Sequence, residues 1–236
     1  MSPPRVSCIV PVFNGEAYLT EAIASARAQG PALLEIVVVD DGSTDGTAAV
    51  ARSSGAPVRY VHQANAGPAA ARNRGIAEAR GEVLAFLDAD DLWPPNRLER
   101  QLAPFEADPL VFYTVCMIQN FWIPELEDEA RAKRVQREGA PAPGYVTGGL
   151  LARREAFERA GRFDPSLDHG DSMDWFLRAR AAGLKEVLVP EVLVLRRMHG
   201  ANRSRVHADA SRDEFLHLLK RRLDARRAGK PTDRIP

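Results

Sequence analysis

LAFLDADD, residues 84–91, is an apolar run that stops abruptly at Asp88, Ala89, Asp90 and Asp91. Three carboxylates on four residues repel one another and cost stability unless something compensates them. A bound cation, a helix N-terminus and plain solvent are the candidates. VLAFLD (83–88) reads as a strand, and its surroundings decide the fold.

Upstream, the chain alternates. RVSCIVPV (5–12), LLEIVVVD (33–40) and VRYVHQ (58–63) are β-branched runs with strand character. LLEIVVVD is continuously apolar, as a strand buried on both faces would be. Between and after them lie helical patterns at 15–30, 43–55 and 68–80, the last with Pro68 in its first turn. NRLERQLAPFE (96–106) follows the fourth strand as another helix. Strand-helix four times over predicts an α/β fold with a mainly parallel, Rossmann-like sheet flanked by helices. Ligands bind such sheets at the carboxyl ends of the strands. Pro11 to Asn14, Asp40 and Asp41, Asn65 and Gly67, and Asp88 to Asp91 all fall at those ends.

Past Glu106 the rhythm loosens. LVFYTVCMIQNFW (110–122) is a further strand. Residues 124–144 read as a short exposed helix and a Pro/Gly loop. YVTGGLLARREAFERAG (145–161) is a strand or turn and then a helix. SMDWFLRARAAG (172–183) is a helix, expected to bury Met173, Phe176 and Leu177, and KEVLVPEVLVL (185–195) is extended. RDEFLHLLKRRLDARR (212–227) is a basic amphipathic helix. It either packs on its own domain with a solvated basic face or makes peripheral contact with an anionic membrane. The expected organisation is one domain over 1–205, with a nucleotide-binding half (1–106) and an acceptor or catalytic half (107–205). A basic C-terminal helix and tail follow at 206–236.

The 236-residue chain is 45% hydrophobic and formally neutral, so no global field recruits nucleic acid. Charge is uneven, with 12 Lys/Arg against 5 Asp/Glu from Arg196 to Pro236. Cys8 and Cys116 lie in apolar runs without metal-binding spacing and are expected as buried free thiols in a reducing, cytoplasmic setting. No signal peptide is visible, and no apolar run approaches the ~20 residues of a membrane helix.

VVVDDGSTDGT (37–47) sends two carboxylates into a loop before a helix. One suffices as a cap, so Asp40 or Asp41 is expected to meet a ligand. The LDADD carboxylates are hard oxygen ligands suited to Mn²⁺ or Mg²⁺ shared with substrate phosphates. Arg72 and Arg74 stand beside a glycine turn and suit phosphate or base contacts, or are surface residues of a helix. A dehalogenase-like phosphatase is disfavoured, because the Asp-x-Asp pair lies on the fourth strand and Leu92 stands where Thr or Ser is preferred. No dinucleotide or P-loop glycine motif occurs. A nucleotidyltransferase would bring a glycine-rich phosphate loop near the N-terminus, and none is present.

IVPVFNGEAYLTEAIAS, IVVVDDGSTDGT, NAGPAAARNRGIAEARGEVLAFLDADD and RRMHGANRS together resemble family 2 glycosyltransferases of the GT-A fold. The resemblance is dense over 5–100 and looser over 145–205. It implies transfer of a sugar from a nucleotide-diphospho-sugar, UDP-linked, to a hydroxyl of a glycan, lipid-linked or other acceptor, with inversion. By position, it implies nucleotide contacts from Pro11, Val12, Phe13 and Glu16. Asp40 and especially Asp41 would hold the base, with Arg72 near the nucleotide. Asp88, Ala89 and Asp90 form the Asp-x-Asp motif for ribose and metal-diphosphate. Gly148 and Gly149 of TGG (147–149) would line the donor sugar. His199 would join Asp88 and Asp90 at the Mn²⁺ or Mg²⁺ ion.

One position departs from the family pattern. Where a Glu-Asp pair usually opens the catalytic helix, this chain has Asp171 and Ser172. A serine is no general base at neutral pH, so the expected base is Asp171, with Asp174 next. A sugar-nucleotide-binding protein without transfer activity, a regulatory or scaffold subunit, is the alternative. The acceptor side is expected around Phe121 and Trp122. The oligomeric state is left open, a homodimer included.

Overall fold

The computed structural model describes residues 5–126, 128, 140–203, 214 and 220. Apart from Glu214 and Lys220, the helix expected at 212–227 therefore lies outside the described residues, as does most of the segment 124–139. In chain order the elements are β1 (Val6–Val12), α1 (Leu19–Arg27), β2 (Leu33–Asp40), α2 (Thr47–Ser53), β3 (Val58–His62), α3 (Pro68–Glu78) and β4 (Val83–Phe86). They continue with α4 (Arg97–Ala107), β5 (Val111–Trp122), β6 (Ala142–Pro143), β7 (Leu150–Arg153), α5 (Arg154–Ala160), α6 (Asp171–Ala181) and β8 (Lys185–Met198).

Among the described residues, eight strands form one sheet in the order β3-β2-β1-β4-β7-β5-β6, with β8 also paired to β5. The first half is parallel throughout: β1 pairs β2 and β4, and β2 pairs β3. The second half is mixed. β7 runs antiparallel to both β4 and β5, and β8 parallel to β5. Strong periodicity made the βα units legible; the antiparallel β7, four residues long, carries no pattern that announces its direction.

Period-two alternation sorts the strand residues onto two faces. Cys8, Val10 and Val12 meet Leu19, Ile23, Leu98 and Leu102 from α1 and α4. On the opposite face, Ile9, Leu84 and Phe86 meet Ile76 of α3, Phe157 of α5, and Trp175 and Phe176 of α6. The aromatic rings there pack edge-on or tilted, as with Phe86 on Phe163 at 5.5 Å and Tyr113 on Trp175 at 5.4 Å. The buried stripe of α6 is Asp171, Trp175, Phe176 and Ala179, not the expected Met173 and Leu177. Asp171 thus heads an apolar stripe, which is why its carboxylate is buried. Cys8 and Cys116 are buried free thiols. No described helix is long and apolar enough to cross a membrane.

α3 lies close against β1 because Gly75 has no side chain. A Cβ there would stand 2.3 Å from Ile9 Cγ2. Alanine favours a helix over glycine by about 1 kcal/mol, but overpacking a core costs about 1–3 kcal/mol. Gly75→Ala is therefore expected to lower stability by about 1–2 kcal/mol net, read as a lower urea midpoint at unchanged slope.

Candidate functional site

The carboxyl ends of β1, β2 and β4 open into a cleft of about 1400 Å³. Its walls include Pro11, Val12 and Phe13 after β1, Asp41 after β2, Asn65 to Pro68 before α3, and Asp88 to Asp91 after β4. Thr147, Gly148, Asp171, Ser172 and His199 close it from the second half of the chain. Phe13 is 53% exposed, an aromatic face at the mouth.

Seven of the expected residues do not line the cleft. Arg74 pairs with Glu78 at 2.9 Å on α3, Trp122 is buried, and the Phe121 ring lies under the Arg197 guanidinium at 5.0 Å. Asp40 is turned inward, where Oδ1 accepts from Ser43 N at 2.8 Å and Oδ2 from the Tyr60 hydroxyl at 2.7 Å. The Glu16 carboxylate accepts from the Gly46 N–H, and so ties the start of α1 to the loop before α2. Gly149 faces backbone: a Cβ there would meet the Gly144 carbonyl at 2.3 Å. Asp174 points along α6 to Arg178, at 2.7 Å. Each was assigned from its sequence position, which does not tell which way a side chain turns once neighbouring loops supply partners.

Asp41 stays on the wall, with both oxygens engaged. Oδ1 accepts from Gln63 Nε2 at 2.7 Å and Ala66 N at 3.0 Å, and Oδ2 from Gly67 N at 2.9 Å. Gly67 precedes α3 with φ of 87°, a backbone that favours glycine. Asp41 therefore shapes the loop that forms one side of the cleft.

The three clustered carboxylates have three different surroundings. Asp88 pairs with Arg72 at 3.2 Å, and the same guanidinium reaches Asp171 at 2.8 Å. Burial pushes the Arg72 pKa down, but the Asp171 and Asp88 charges outweigh it and the net shift is up. Asp90 Oδ2 meets His199 Nε2 at 2.9 Å and accepts from Asn202 Nδ2 at 3.2 Å. Asp91 is buried and accepts from Arg197 N at 3.0 Å. Burial, then the charges of Asp90 and Asp88, hold its pKa well above the usual carboxylate range. Asp88 and Asp90 remain partly exposed on the cleft wall, whereas the Asp91 side chain is buried.

The Asp88 and Asp90 oxygens on the cleft wall are donors of the right hardness for a divalent cation. The expected set of Asp88, Asp90 and His199 is not gathered into a cage. Among the described residues no three His, Cys, Asp or Glu side chains are grouped to hold a metal. Mg²⁺ needs no such cage, because it keeps water and phosphate oxygens in its shell.

Several residues here escaped the sequence reading. Asn202 was visible only as part of HGANRS. Arg197 bonds the Asp90 carbonyl through Nε at 3.0 Å and stitches β8 to the acidic turn. Arg97 and Gln101 are fully buried on α4 and hold the glycine loop from behind. Arg97 reaches the Gly148 carbonyl at 2.6 Å and Gln101 the Gly149 carbonyl at 3.0 Å. Burial lowers the Arg97 pKa. Their one sequence signal is an i,i+4 polar pair on the face that α4 buries.

At Asp40, burial pushes the pKa up, but the Ser43 and Tyr60 hydrogen bonds outweigh it and the carboxyl ionises below its usual range. A lowered folded-state pKa gives stability that is present above the unfolded value, ~3.9, and lost as pH falls through the folded one. Tyr60→Phe keeps the ring under Arg52 and removes the hydroxyl. It is expected to cost about 1–2 kcal/mol at pH 7, with the deficit shrinking below about pH 4. Urea titrations from pH 3 to 7 read this directly.

A model of the family described as Glycosyl transferase family 2 matches residues 7–161. An uncharacterized glycosyltransferase of Rickettsia typhi is 32% identical over 209 residues, covering 84% of this chain and 65% of its own length. One from Nostoc sp. is 32% identical over 225 residues, covering 89% and 70%. This chain therefore spans about two thirds of the length of these relatives. Among solved structures, S. aureus TarS 1–349 in complex with UDP-GlcNAc superposes with a TM-score of 0.66 at 20% identity, covering 84% of this chain and 60% of TarS. The fold is thus that of TarS, a central sheet flanked by helices. The family match over most of the cleft-forming strands, with relatives above 30% identity along most of the chain, establishes that this chain belongs to glycosyl transferase family 2.

Proposed function

We propose that this protein moves a sugar from a nucleotide-diphospho-sugar, UDP-linked, to an acceptor hydroxyl with inversion. The observation that carries the reading is the Arg72 bridge. One buried guanidinium joins Asp88 of the acidic turn to Asp171 at the start of α6. In this reading the base and the diphosphate site share one fixed cation. The cleft volume exceeds the 300–1,000 Å³ usual for one small ligand and leaves room for two reactants.

The first half of the chain, 1–106, serves the donor. Phe13 and the loop braced by Asp41 receive the nucleotide. Gly148 stands on the cleft wall beside Asp88, where a Cβ would make ordinary contact with Asp88 Oδ2 at 3.8 Å. Asp88 and Asp90 would hold a divalent ion, with His199 and Asn202 fixing Asp90; such an ion supplies charge that neutralises a departing diphosphate. Arg72 contributes fixed positive charge beside Asp88. The second half, 107–205, serves the acceptor. Asp171 Oδ2 is held by Arg72, so Oδ1 is the atom to take the hydroxyl proton as the oxygen attacks the anomeric carbon. Ser172 is no substitute base: its Oγ accepts from Thr147 N at 3.3 Å and steadies the glycine loop.

Binding without transfer is the second reading. It is favoured by Ser172 standing where the family has its base and by the ion pair that already engages Asp171. A wild-type protein that binds a UDP-sugar yet turns none over would establish it.

Two outcomes are expected. Asp90→Ala should weaken Mn²⁺-dependent UDP binding at least about 100-fold, and calorimetry showing unchanged affinity would sink the metal assignment. Asp171→Asn should keep donor binding and lower transfer or donor hydrolysis by about 10²–10⁴-fold. Full activity in that variant would remove Asp171 from the mechanism.

A further inference from the structure

The wall that carries Asp171 is held by a residue far along the chain. The carboxylate of Glu214 accepts three backbone N–H groups in a row: Asp168 at 2.9 Å through Oε1, and His169 at 2.6 Å and Gly170 at 3.0 Å through Oε2. These amides lead directly into α6, whose first residue is Asp171. The helix has no cap of its own, because the N-cap residue is Gly170. Helix N-termini leave amides unsatisfied and carry partial positive charge. The three amides that Glu214 takes, Asp168, His169 and Gly170, lie just ahead of that end, and a carboxylate that accepts them makes charge-assisted bonds, roughly twice as strong as neutral ones.

We infer that Glu214 is a positioning residue for the acceptor side of the site, resting on the transfer reading above. Asp168 and His169 line the cleft, and Asp171 and Ser172 follow at once. Fixing the three amides fixes where α6 begins, and so the direction in which Asp171 faces the cleft and meets Arg72. Arg203 makes a second tether to this loop, at 3.3 Å from Asp168, but that carboxylate is 80% exposed and such ion pairs hold little. The three-amide contact is the one that sets the loop. A basic segment, 12 Lys/Arg against 5 Asp/Glu from Arg196 onward, thus sends one of its few carboxylates to the site.

The test compares full-length wild type with Glu214→Ala and Glu214→Asp by hydrogen exchange and by donor turnover. Exchange of the amides at 168–174 is expected to quicken at least about tenfold in Glu214→Ala, with the β1–β4 amides unchanged. Turnover at saturating donor should fall about 10–100-fold while the donor KM stays within about twofold, as for a misplaced group that leaves donor binding intact. Glu214→Asp should recover part of the rate. Formate, a free carboxylate able to occupy the same three amides, should restore Glu214→Ala, which a purely structural loss would not allow. Unchanged exchange at 168–174 overturns the contact. Quickened exchange with unchanged turnover, or no recovery with formate, overturns the positioning role. If the wild type binds and turns over no nucleotide-sugar, the transfer reading fails; the exchange arm still judges whether Glu214 sets the start of α6.

Discussion

The guanidinium of Arg72 is the contact on which the site depends. It leaves α3, runs under the cleft, and takes one carboxylate from the end of β4 and one from the start of α6, residues 16 and 99 positions away in sequence. Burying such a cation is costly, and two carboxylates compensate it. A lysine would carry the charge but not the planar fork that reaches both partners at once. Through this side chain the end of β4 and the start of α6 are held together at the cleft.

The same logic resolves the crowding at Asp88, Asp90 and Asp91. Each carboxylate meets its neighbours' charge differently. Asp88 takes Arg72, Asp90 takes His199 and Asn202, and Asp91 takes a β8 amide while burial and its neighbours raise its pKa. Behind them Arg97 sits buried under the glycine loop. Asp88 and Asp90 thus present partly exposed carboxylates on the cleft wall, with the Arg72 guanidinium beside Asp88. That is the arrangement a site for a cation and a diphosphate would need.

The second half of the chain supplies what the first half lacks. β8 runs along β5 and delivers Arg197, His199 and Asn202 to the acidic turn. α6 delivers Asp171 because that residue shares a stripe with Trp175 and Ala179, so packing of the aromatic cluster sets its depth. Beyond β8, Glu214 caps the loop before α6. Cleft geometry and core packing are therefore the same set of contacts.

By itself the sequence determined the βα alternation, the rim where β1, β2 and β4 end, the acidic turn and the absence of the family's usual Asp at Ser172. Those features are local: periodicity, strand length and motif spacing are written in consecutive residues. That Asp41 and Asp171 stand on the cleft wall was legible this way, because rim position and helix start are also local. The tertiary structure alone decided that Asp40 turns to Tyr60 and Asp174 to Arg178, that β7 runs antiparallel, and that Arg72 bridges the cleft. It alone brought Arg97, Asn202 and Glu214 to the site. The reason is physical: a polar side chain turns toward whatever partner spares it an unpaired burial, and those partners come from residues tens of positions away.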